Sequence, residues 1–93
     1  MKKIQIGNKI IGDGEPVFII AEIGYNFNTL DEALRSIDAA LDCRVDAVKF
    51  QTFRTDTVTS PDIYFPKEAG GTSQYEEFKR YELSDAWHKE IFK

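Results

Sequence analysis

Cysteine, basic clusters and long apolar runs are all scarce in this 93-residue chain, and each scarcity excludes a class of protein. A single cysteine, Cys43, leaves no internal disulfide possible and fits a reducing compartment. A net charge of −4 without any Lys/Arg cluster argues against a nucleic-acid-binding surface. No stretch approaches the roughly 18 apolar residues of a membrane span, and no apolar segment follows the two lysines after Met1 as in a signal peptide. We therefore expect a cytoplasmic protein that binds neither nucleic acid nor membrane.

Glycine and proline are also few, with 6 and 3 residues, whereas 42% of the chain is hydrophobic and 30% is charged. This composition is typical of a globular protein rather than a disordered one. The length suffices for one small domain, but a closed eight-stranded α/β barrel typically takes about 250 residues. The chain by itself is therefore too short for such a barrel.

The first residues predict a β-hairpin. Residues 2–6 and 9–11 alternate weakly between apolar and polar side chains, and Gly7-Asn8 between them is a two-residue hairpin signal. Residues 12–16 are a dense set of turn formers that ends the hairpin. Because a two-stranded hairpin is marginally stable alone, we expect it to lie against something larger.

The centre of the chain predicts a strand, a helix and a second strand. The apolar run at 17–23 is typical of a buried parallel strand. Thr29 and Glu32 have the spacing of a capping box, and apolar residues then recur at helical spacing, which predicts a helix at about 29–42. A second apolar run at 47–53 predicts the next strand. Such a unit should be a right-handed parallel crossover.

The remainder predicts a loop and two helices. Residues 54–72 show no convincing period and contain several turn formers, so we expect a long loop of the kind that is often functional. A short helix is predicted at 73–80, and Ser84 should cap a second one. The apolar side of that last helix is formed by Trp87, Ile91 and Phe92.

Polar residues near the ends of the two central strands are the best candidates for chemistry. Strand alternation puts Glu22 on one face of its strand, and puts Lys49 and Gln51 together on one face of the other. If the strands pair, the three side chains form one polar patch. One interpretation is a structural salt bridge with a bonded amide; the other is that Lys49 binds a phosphate or carboxylate while Glu22 manages a proton or a metal-bound water.

Other candidates carry weaker signals. His88, the only histidine, is predicted to be a surface or cap residue, and one histidine cannot form a typical metal site unaided. Cys43 is interpreted as a packing residue at a helix end. The glycine-rich residues 70–73 lack the spacing and the lysine of a phosphate-binding loop, which favours a plain turn. Tyr25 and Phe27 fit a lid wall and loop anchors equally well.

The two strand ends closely resemble the beginning of the N-acetylneuraminate (sialic acid) synthase family. The preceding hairpin also has a counterpart in that family, so the resemblance covers nearly all of this chain but only about the first quarter of a family member. The segments that carry it are Phe18-Ile19-Ile20-Ala21-Glu22-Ile23-Gly24 with Asn26, Ala39-Ala40, Asp46-Ala47-Val48-Lys49-Phe50-Gln51-Thr52-Phe53, Tyr75-Glu76, Glu82-Leu83-Ser84 and Trp87-His88.

The resemblance implies an α/β fold, the N-terminal part of a TIM (β/α)8 barrel, with residues 1–16 as a hairpin that caps the barrel and residues 17–93 as its incomplete first part. It implies condensation of phosphoenolpyruvate with an N-acetylated aminohexose such as N-acetylmannosamine, giving a nine-carbon 2-keto sugar acid and phosphate. It further implies a divalent metal, Mn²⁺ or Mg²⁺, and a homodimer at full length.

The resemblance also implies roles for individual residues. Glu22 matches the catalytic glutamate of the family, and Lys49 matches a catalytic lysine that binds phosphoenolpyruvate. Gln51 matches a glutamine that contacts the acceptor sugar, and Asn26 belongs to the same substrate-binding set. The metal-binding histidines of the family have no counterpart in this chain, so no metal ligand is expected here.

Two short segments depart from the family pattern. Residues 26–29 read Asn-Phe-Asn-Thr where the family usually has Asn-His-Asn-Gly, so Phe27 replaces a histidine and bears on the acceptor sugar. Residues 43–46 read Cys-Arg-Val-Asp in place of Ala-Gly-Ala-Asp, a change we interpret as structural. The leading hypothesis is the N-terminal piece of such an enzyme, which is inactive by itself. The alternatives are a non-catalytic binding or assembly module derived from the barrel, and another phosphoenolpyruvate-condensing barrel.

Overall fold

A computed structural model describes residues 2–93. Within this range no helix is long and apolar enough to cross a membrane. The chain forms a mixed α/β structure with a short 3₁₀ helix at Lys67–Ala69. The other elements are β1 (Ile4–Ile6), β2 (Lys9–Ile11), β3 (Ile20–Gly24), α1 (Leu30–Asp42), β4 (Ala47–Phe50), α2 (Thr55–Val58), α3 (Gln74–Tyr81) and α4 (Asp85–Ile91).

The predicted N-terminal hairpin is confirmed. β1 and β2 pair antiparallel, and Ile6 opposes Lys9 across the Gly7-Asn8 turn. Gly7 has φ +59°, a left-handed conformation that glycine adopts without a steric penalty. The hairpin is joined to the rest of the chain through Asp46, because Lys9 Nζ lies 3.4 Å from Asp46 Oδ1.

The strand–helix–strand unit is also confirmed, with shorter strands than the sequence predicts. β3 and β4 pair in parallel, and the pairing places Glu22 opposite Lys49 and Gly24 opposite Phe50. Two residues of β3 thus advance against one of β4, which makes Ile23 the extra residue of a β-bulge. Thr29 caps α1 by accepting a hydrogen bond from the Glu32 N–H at 3.1 Å.

The prediction of a buried strand from residue 17 is wrong. Val17 is 82% exposed, and Ile19 and Ile20 are also exposed. Ile19 lies just before β3 and bonds to Asp46, which accepts from the Ile19 N–H at 2.8 Å and donates its own N–H to the Ile19 carbonyl. Asp46, in the loop before β4, therefore uses the backbone N–H and carbonyl of Ile19 that would otherwise have extended the pairing of β3 with β4.

The buried core lies between one face of the sheet and the helices α1 and α4. Ile23 and Phe50 pack from the sheet side against a cluster of buried apolar residues. The radius of gyration is 17.0 Å, whereas a compact domain of this length has about 12 Å. The described residues thus bury only a thin core, which consists of Phe27, Ala33, Ala40 and Leu83.

Three further predictions need correction. The stretch 54–72 is not a continuous loop, because it contains α2 and the 3₁₀ helix. Cys43 does end α1, but its side chain is exposed rather than packed. Phe92, predicted on the apolar side of the last helix, is 65% exposed, as is Leu41 near the end of α1. The helices predicted at 73–80 and after Ser84 are confirmed as α3 and α4, capped by Ser73 and Ser84.

Candidate functional site

Glu22 and Lys49 are neighbours at the C-terminal ends of β3 and β4. They are direct register partners, and Lys49 Nζ lies 3.3 Å from Glu22 Oε2. Both side chains leave the sheet face opposite Ile23 and Phe50, because side chains alternate along each strand. The predicted pairing of these two residues is therefore present in the structure.

Gln51 and Asn26 join this pair around Gly24. A Cβ atom built at Gly24 would lie 3.3 Å from Glu22 Oε1, 3.7 Å from Gln51 Cδ and 3.8 Å from Asn26 Nδ2. The Gln51 N–H donates to the Gly24 carbonyl at 3.2 Å, and the Asn26 amide donates to the Ile23 carbonyl at 3.2 Å. The structure thus brings all four sequence-predicted site residues together.

Gly24 itself is part of the reason that these polar groups converge. Its φ of +63° turns the chain out of β3 directly after the bulge, and a side chain there would enter the space between the polar groups. The turn then directs Asn26 back toward the strand end, where its amide is held. We refer to Glu22, Gly24, Asn26, Lys49 and Gln51 as the strand-end cluster.

The charged pair in this cluster is open to solvent. The side chains of Glu22 and Lys49 are 44% and 64% exposed. An ion pair so exposed contributes little to stability, with a typical range of about 0–1 kcal/mol. Among the described residues, both charges are therefore accessible to a ligand.

An open cleft of 490 Å³ lies next to Lys49 and Gln51. Tyr25 belongs to its wall and also anchors its own loop, because its ring contacts those of Phe53 and Tyr81 at centroid distances of 6.0 and 5.2 Å. The remaining lining comes from Phe50, Thr52, Phe53, Val58 and Phe78. The cleft therefore combines one polar end with an aromatic wall.

Phe27 has a different position. It is 7% exposed, and its ring packs on Phe50 at 5.8 Å and on Trp87 at 6.2 Å. These contacts lie on the core face of the sheet, opposite the face from which Glu22 and Lys49 project. Phe27 is thus a loop anchor in the core, which decides between the two interpretations that the sequence left open.

Residues after β4 are fixed to the helical part of the chain by polar contacts that the sequence does not predict. The Thr52 hydroxyl lies 2.8 Å from His88 Nε2, and Arg54 Nη2 donates to Asp85 Oδ1 at 2.9 Å. Glu82 accepts from the Thr55 N–H at 2.9 Å. These contacts join residues that are far apart along the chain and have no local pattern that could have revealed them.

The contact between Glu82 and the Thr55 N–H also lowers the pKa of the carboxylate. The hydrogen bond from the Thr55 N–H, followed by that from Lys79, holds the pKa of Glu82 below its usual value. Glu82 therefore stays ionised and keeps α2 attached to the end of α3. Thr55 is fully buried, and its hydroxyl has no hydrogen-bond partner among the described residues.

The described residues do not fit a metal centre. Within 2–93, no group of three or more His, Cys, Asp or Glu side chains is placed where it could hold a metal ion. Glu22 is a potential single ligand, but its ion-pair partner is Lys49, a cation. No chemical step is therefore assigned to a metal held by these residues. The glycine-rich residues 70–73 begin with a turn at Gly70 that ends the 3₁₀ helix, with φ +104° at Gly70 and +65° at Gly71, and end at Ser73, which caps α3.

Three known proteins are similar in sequence to this chain. The chain is 47% identical over 72 residues to the spore coat polysaccharide biosynthesis protein SpsE of Bacillus subtilis, which covers 76% of this chain and 19% of that protein. It is 41% identical to N,N'-diacetyllegionaminic acid synthase of Legionella pneumophila, covering 88% of this chain and 25% of that enzyme. Mouse N-acetylneuraminate-9-phosphate synthase is 34% identical, with 87% and 24% covered.

The chain therefore spans about a quarter or less of the length of these relatives. A model of the NeuB family matches residues 36–93, a range that includes Lys49 and Gln51. Glu22 and Asn26 precede the matched range. In the structure Glu22 pairs with Lys49, and both Glu22 and Asn26 lie near Gln51 around Gly24. Two of these relatives are named as synthases, one of N,N'-diacetyllegionaminic acid and one of N-acetylneuraminate-9-phosphate. Because the family model matches more than half of the chain, the chain belongs to the NeuB family.

Proposed function

We propose that the natural-length protein condenses phosphoenolpyruvate with an N-acetylated aminohexose of the N-acetylmannosamine type and releases phosphate. The product would be a nine-carbon 2-keto sugar acid. The observation that carries this proposal is the strand-end cluster, in which a carboxylate and two neutral amides meet around Gly24 and a lysine pairs with that carboxylate. The names of two relatives, a legionaminic acid synthase and an N-acetylneuraminate-9-phosphate synthase, support it.

Lys49 is the residue proposed to bind phosphoenolpyruvate. This substrate carries a carboxylate and a phosphate, and an exposed ammonium group is a strong donor to either. Lys49 is 64% exposed and faces an open cleft, so an incoming anion can replace part of its interaction with Glu22. The short distance between the two side chains would then let the bound anion and Glu22 share the same lysine.

Glu22 is proposed to handle the proton. In the net reaction, the methylene carbon of phosphoenolpyruvate bonds to the aldehyde carbon of the sugar, a water oxygen adds to the enol carbon, and phosphate leaves. The bond between the enol carbon and the phosphate oxygen breaks, and the water gives up both of its protons, one to the aldehyde oxygen and one to the departing phosphate. A carboxylate beside the bound phosphoenolpyruvate is suited to take a proton from the water and to pass it to the aldehyde oxygen.

Gln51 and Asn26 are proposed to bind the acceptor sugar. A neutral amide has both donors and acceptors, which matches the hydroxyl and acetamido groups of an aminohexose. Both amides adjoin Gly24, and Gln51 also lines the cleft. Tyr25 and Phe53 offer an apolar surface beside them for the less polar face of the sugar.

The fold around this site is proposed to be the first part of a TIM barrel, made by residues 17–93 and capped by the hairpin of residues 1–16. Two parallel strands joined by a helix match one β–α–β unit of such a barrel. The active sites of these barrels lie at the C-terminal ends of the strands. The exposed apolar residues of the strands and hairpin would be covered by the rest of the barrel; they include Ile4, Ile6, Ile10, Val17, Ile19 and Ile20. We further propose a homodimer and a cytoplasmic location for the natural-length protein.

A divalent metal, Mn²⁺ or Mg²⁺, is retained as part of the proposal. Its ligands would come from outside residues 2–93, because the described side chains offer no group that fits a metal. The metal would polarise the sugar aldehyde as a Lewis acid when bound. The residues of this chain would act beside it on phosphoenolpyruvate and on protons.

The test is phosphate release by the natural-length protein supplied with phosphoenolpyruvate and N-acetylmannosamine. The assay is run with manganese, with a chelator, and without the sugar as a control. We expect release that requires both the sugar and the metal. Binding of either substrate without any release, across related acetamido sugars, would reject the proposal in favour of a non-catalytic module. Release that persists in the chelator would reject the metal requirement alone.

A further inference from the structure

His88 connects the segment after β4 to the first turn of α4. Its Nδ1 lies 2.9 Å from the Ser84 carbonyl oxygen, and its Nε2 lies 2.8 Å from the Thr52 hydroxyl. The ring also stacks on Phe92, with centroids 6.0 Å apart and an angle of 16° between the planes. The imidazole is therefore held on both nitrogens and on one face.

The direction of these hydrogen bonds follows from the partners. A carbonyl oxygen can only accept, so Nδ1 is the ring nitrogen that carries hydrogen. In the neutral ring Nε2 is then an acceptor, and the Thr52 hydroxyl donates to it. His88 thus links the Ser84 carbonyl oxygen to the Thr52 hydroxyl through its two ring nitrogens.

Thr52 directly follows Gln51, at a point where the strand ladder has already ended. β4 ends at Phe50, and the backbone of Gln51 makes one more bond, from its N–H to the Gly24 carbonyl. The described residues leave Gln51 exposed, so their packing does not hold it in place. The Thr52–His88 contact is consequently the next restraint on the backbone that carries Gln51.

A second polar contact in the same region is a weaker restraint. Arg54 and Asp85 form an ion pair at 2.9 Å, but their side chains are 63% and 80% exposed. Such exposed pairs contribute little. Thr52 is exposed as well, but its partner His88 is partly buried and stacks on Phe92, so this hydrogen bond has one partner that is held in place.

We propose that His88 is a positioning residue, which acts through Thr52 to fix Gln51 for the acceptor sugar. This inference rests on the proposed function for the identity of the substrate, whereas the restraint itself belongs to the structure. Lys49 lies within β4 and is paired in register, so the effect should fall on the sugar rather than on phosphoenolpyruvate. A role in the surface or cap alone, as the sequence suggested for His88, would produce no such asymmetry.

The test uses substitutions that preserve shape in the natural-length protein. Thr52→Val removes the hydroxyl, and His88→Phe removes both ring nitrogens while keeping an aromatic ring to stack on Phe92. We expect each to raise KM for the aminohexose by about three- to tenfold, with KM for phosphoenolpyruvate and kcat changed by less than about twofold. The double variant should be no worse than either single variant, because both remove the same hydrogen bond.

Two controls accompany these variants. Thr52→Ser keeps the hydroxyl and should restore the wild-type KM for the sugar. Thr57→Val removes a hydroxyl that bonds to the nearby Arg54 carbonyl, so it should leave both KM values unchanged. Equal effects of Thr52→Val and Thr52→Ser, or effects of Thr52→Val and His88→Phe that multiply in the double variant, would overturn the proposal.

Hydrogen exchange gives a second readout that needs no substrate. The Gln51 amide should exchange faster in Thr52→Val and His88→Phe than in wild type or Thr52→Ser, because its backbone has lost the restraint that follows it. Unchanged exchange at Gln51 would refute the positioning role whatever the protein catalyses. Faster exchange in a protein without synthase activity would support the restraint and reject the proposed function instead.

Discussion

Glu22 and Lys49 occupy opposite register positions on adjacent parallel strands, with Lys49 Nζ 3.3 Å from Glu22 Oε2. Both side chains are substantially exposed, and Gln51 and Asn26 lie beside them around Gly24. An exposed pair of this kind adds little to stability, but its lysine lines the cleft and its carboxylate lies beside that lysine. Loss of either charge should therefore affect turnover far more than folding.

We predict that Lys49→Met abolishes turnover and leaves the fold intact. The substitution keeps the length of the side chain and removes the charge that is proposed to bind phosphoenolpyruvate. Phosphate release should fall on the order of 100-fold or more, while the free energy of unfolding changes by less than about 1 kcal/mol. Arg35→Met is the matched control, since it removes another exposed ion pair, with Asp31, on α1. A Lys49→Met protein that unfolds would support the structural salt bridge instead.

Gly24→Ala should reduce activity more than its effect on stability explains. The residue has φ +63°, and an added Cβ would approach Glu22 Oε1 to 3.3 Å. Gly7→Ala is a close control, because Gly7 has φ +59° and a Cβ atom added there would meet nothing within 4 Å. Both variants should lose about 1–2 kcal/mol through backbone strain. Only Gly24→Ala should lower phosphate release, and equal activity in the two variants would contradict the role of Gly24 in the cluster.

Phe27→His should not improve activity, although histidine is the usual residue of the family at this position. Phe27 is 7% exposed between Phe50 and Trp87, and an imidazole there would lose its hydrogen bonds to water. We expect a loss of about 1–3 kcal/mol in the free energy of unfolding. Phe27→Leu, which stays apolar, should lose less. Turnover that rises in Phe27→His would show that the ring belongs to the site rather than to the core.

Asp46 should make the attachment of the hairpin dependent on pH. The hydrogen bond from the Ile19 N–H, together with Lys9, holds the pKa of Asp46 below its ordinary value. A lowered pKa in the folded state stabilises the protein above the unfolded pKa, and this contribution is lost as the pH falls through the folded value. The difference in stability between wild type and Asp46→Asn should therefore be constant above about pH 5 and decrease below about pH 4.

Chemical denaturation across this pH range measures the difference. Asp38→Asn serves as control, because Asp38 lies on α1, away from the hairpin and its attachment at Asp46. This variant removes a carboxylate without disturbing the contacts of Asp46, so the comparison separates the loss of those contacts from the loss of a negative charge. A difference for Asp46→Asn that is independent of pH would contradict the stabilising role of the ionised Asp46.

Several features were correctly predicted because short-range geometry determines them. The Gly7-Asn8 turn, the Thr29 cap and the Ser84 cap depend on residues within a few positions of one another. The polar face shared by Lys49 and Gln51 follows from the alternation of a strand. Membership of the family was recognisable from the same two strand ends.

Other features required the tertiary structure because they depend on contacts between distant residues. Alternation predicted that Glu22 and Lys49 would meet if their strands paired, but it did not reveal the exact register, the bulge at Ile23 or the return of Asn26 to the same point. Register is set by packing and pairing. The sequence also left the place of Phe27 undecided, and only the packing of Phe50 and Trp87 around it assigns it to the core.

The strand-end cluster was predictable from the sequence, whereas the Thr52–His88 contact that supports it was not. By itself the sequence determined which polar residues stand at the strand ends, because a period of two and a parallel crossover suffice for that. Only the tertiary structure decided what holds them, since Thr52 and His88 are 36 residues apart and meet through the packing of α4 beside β4. Local periodicity carries no information about such a contact, because it forms only when the intervening chain has folded.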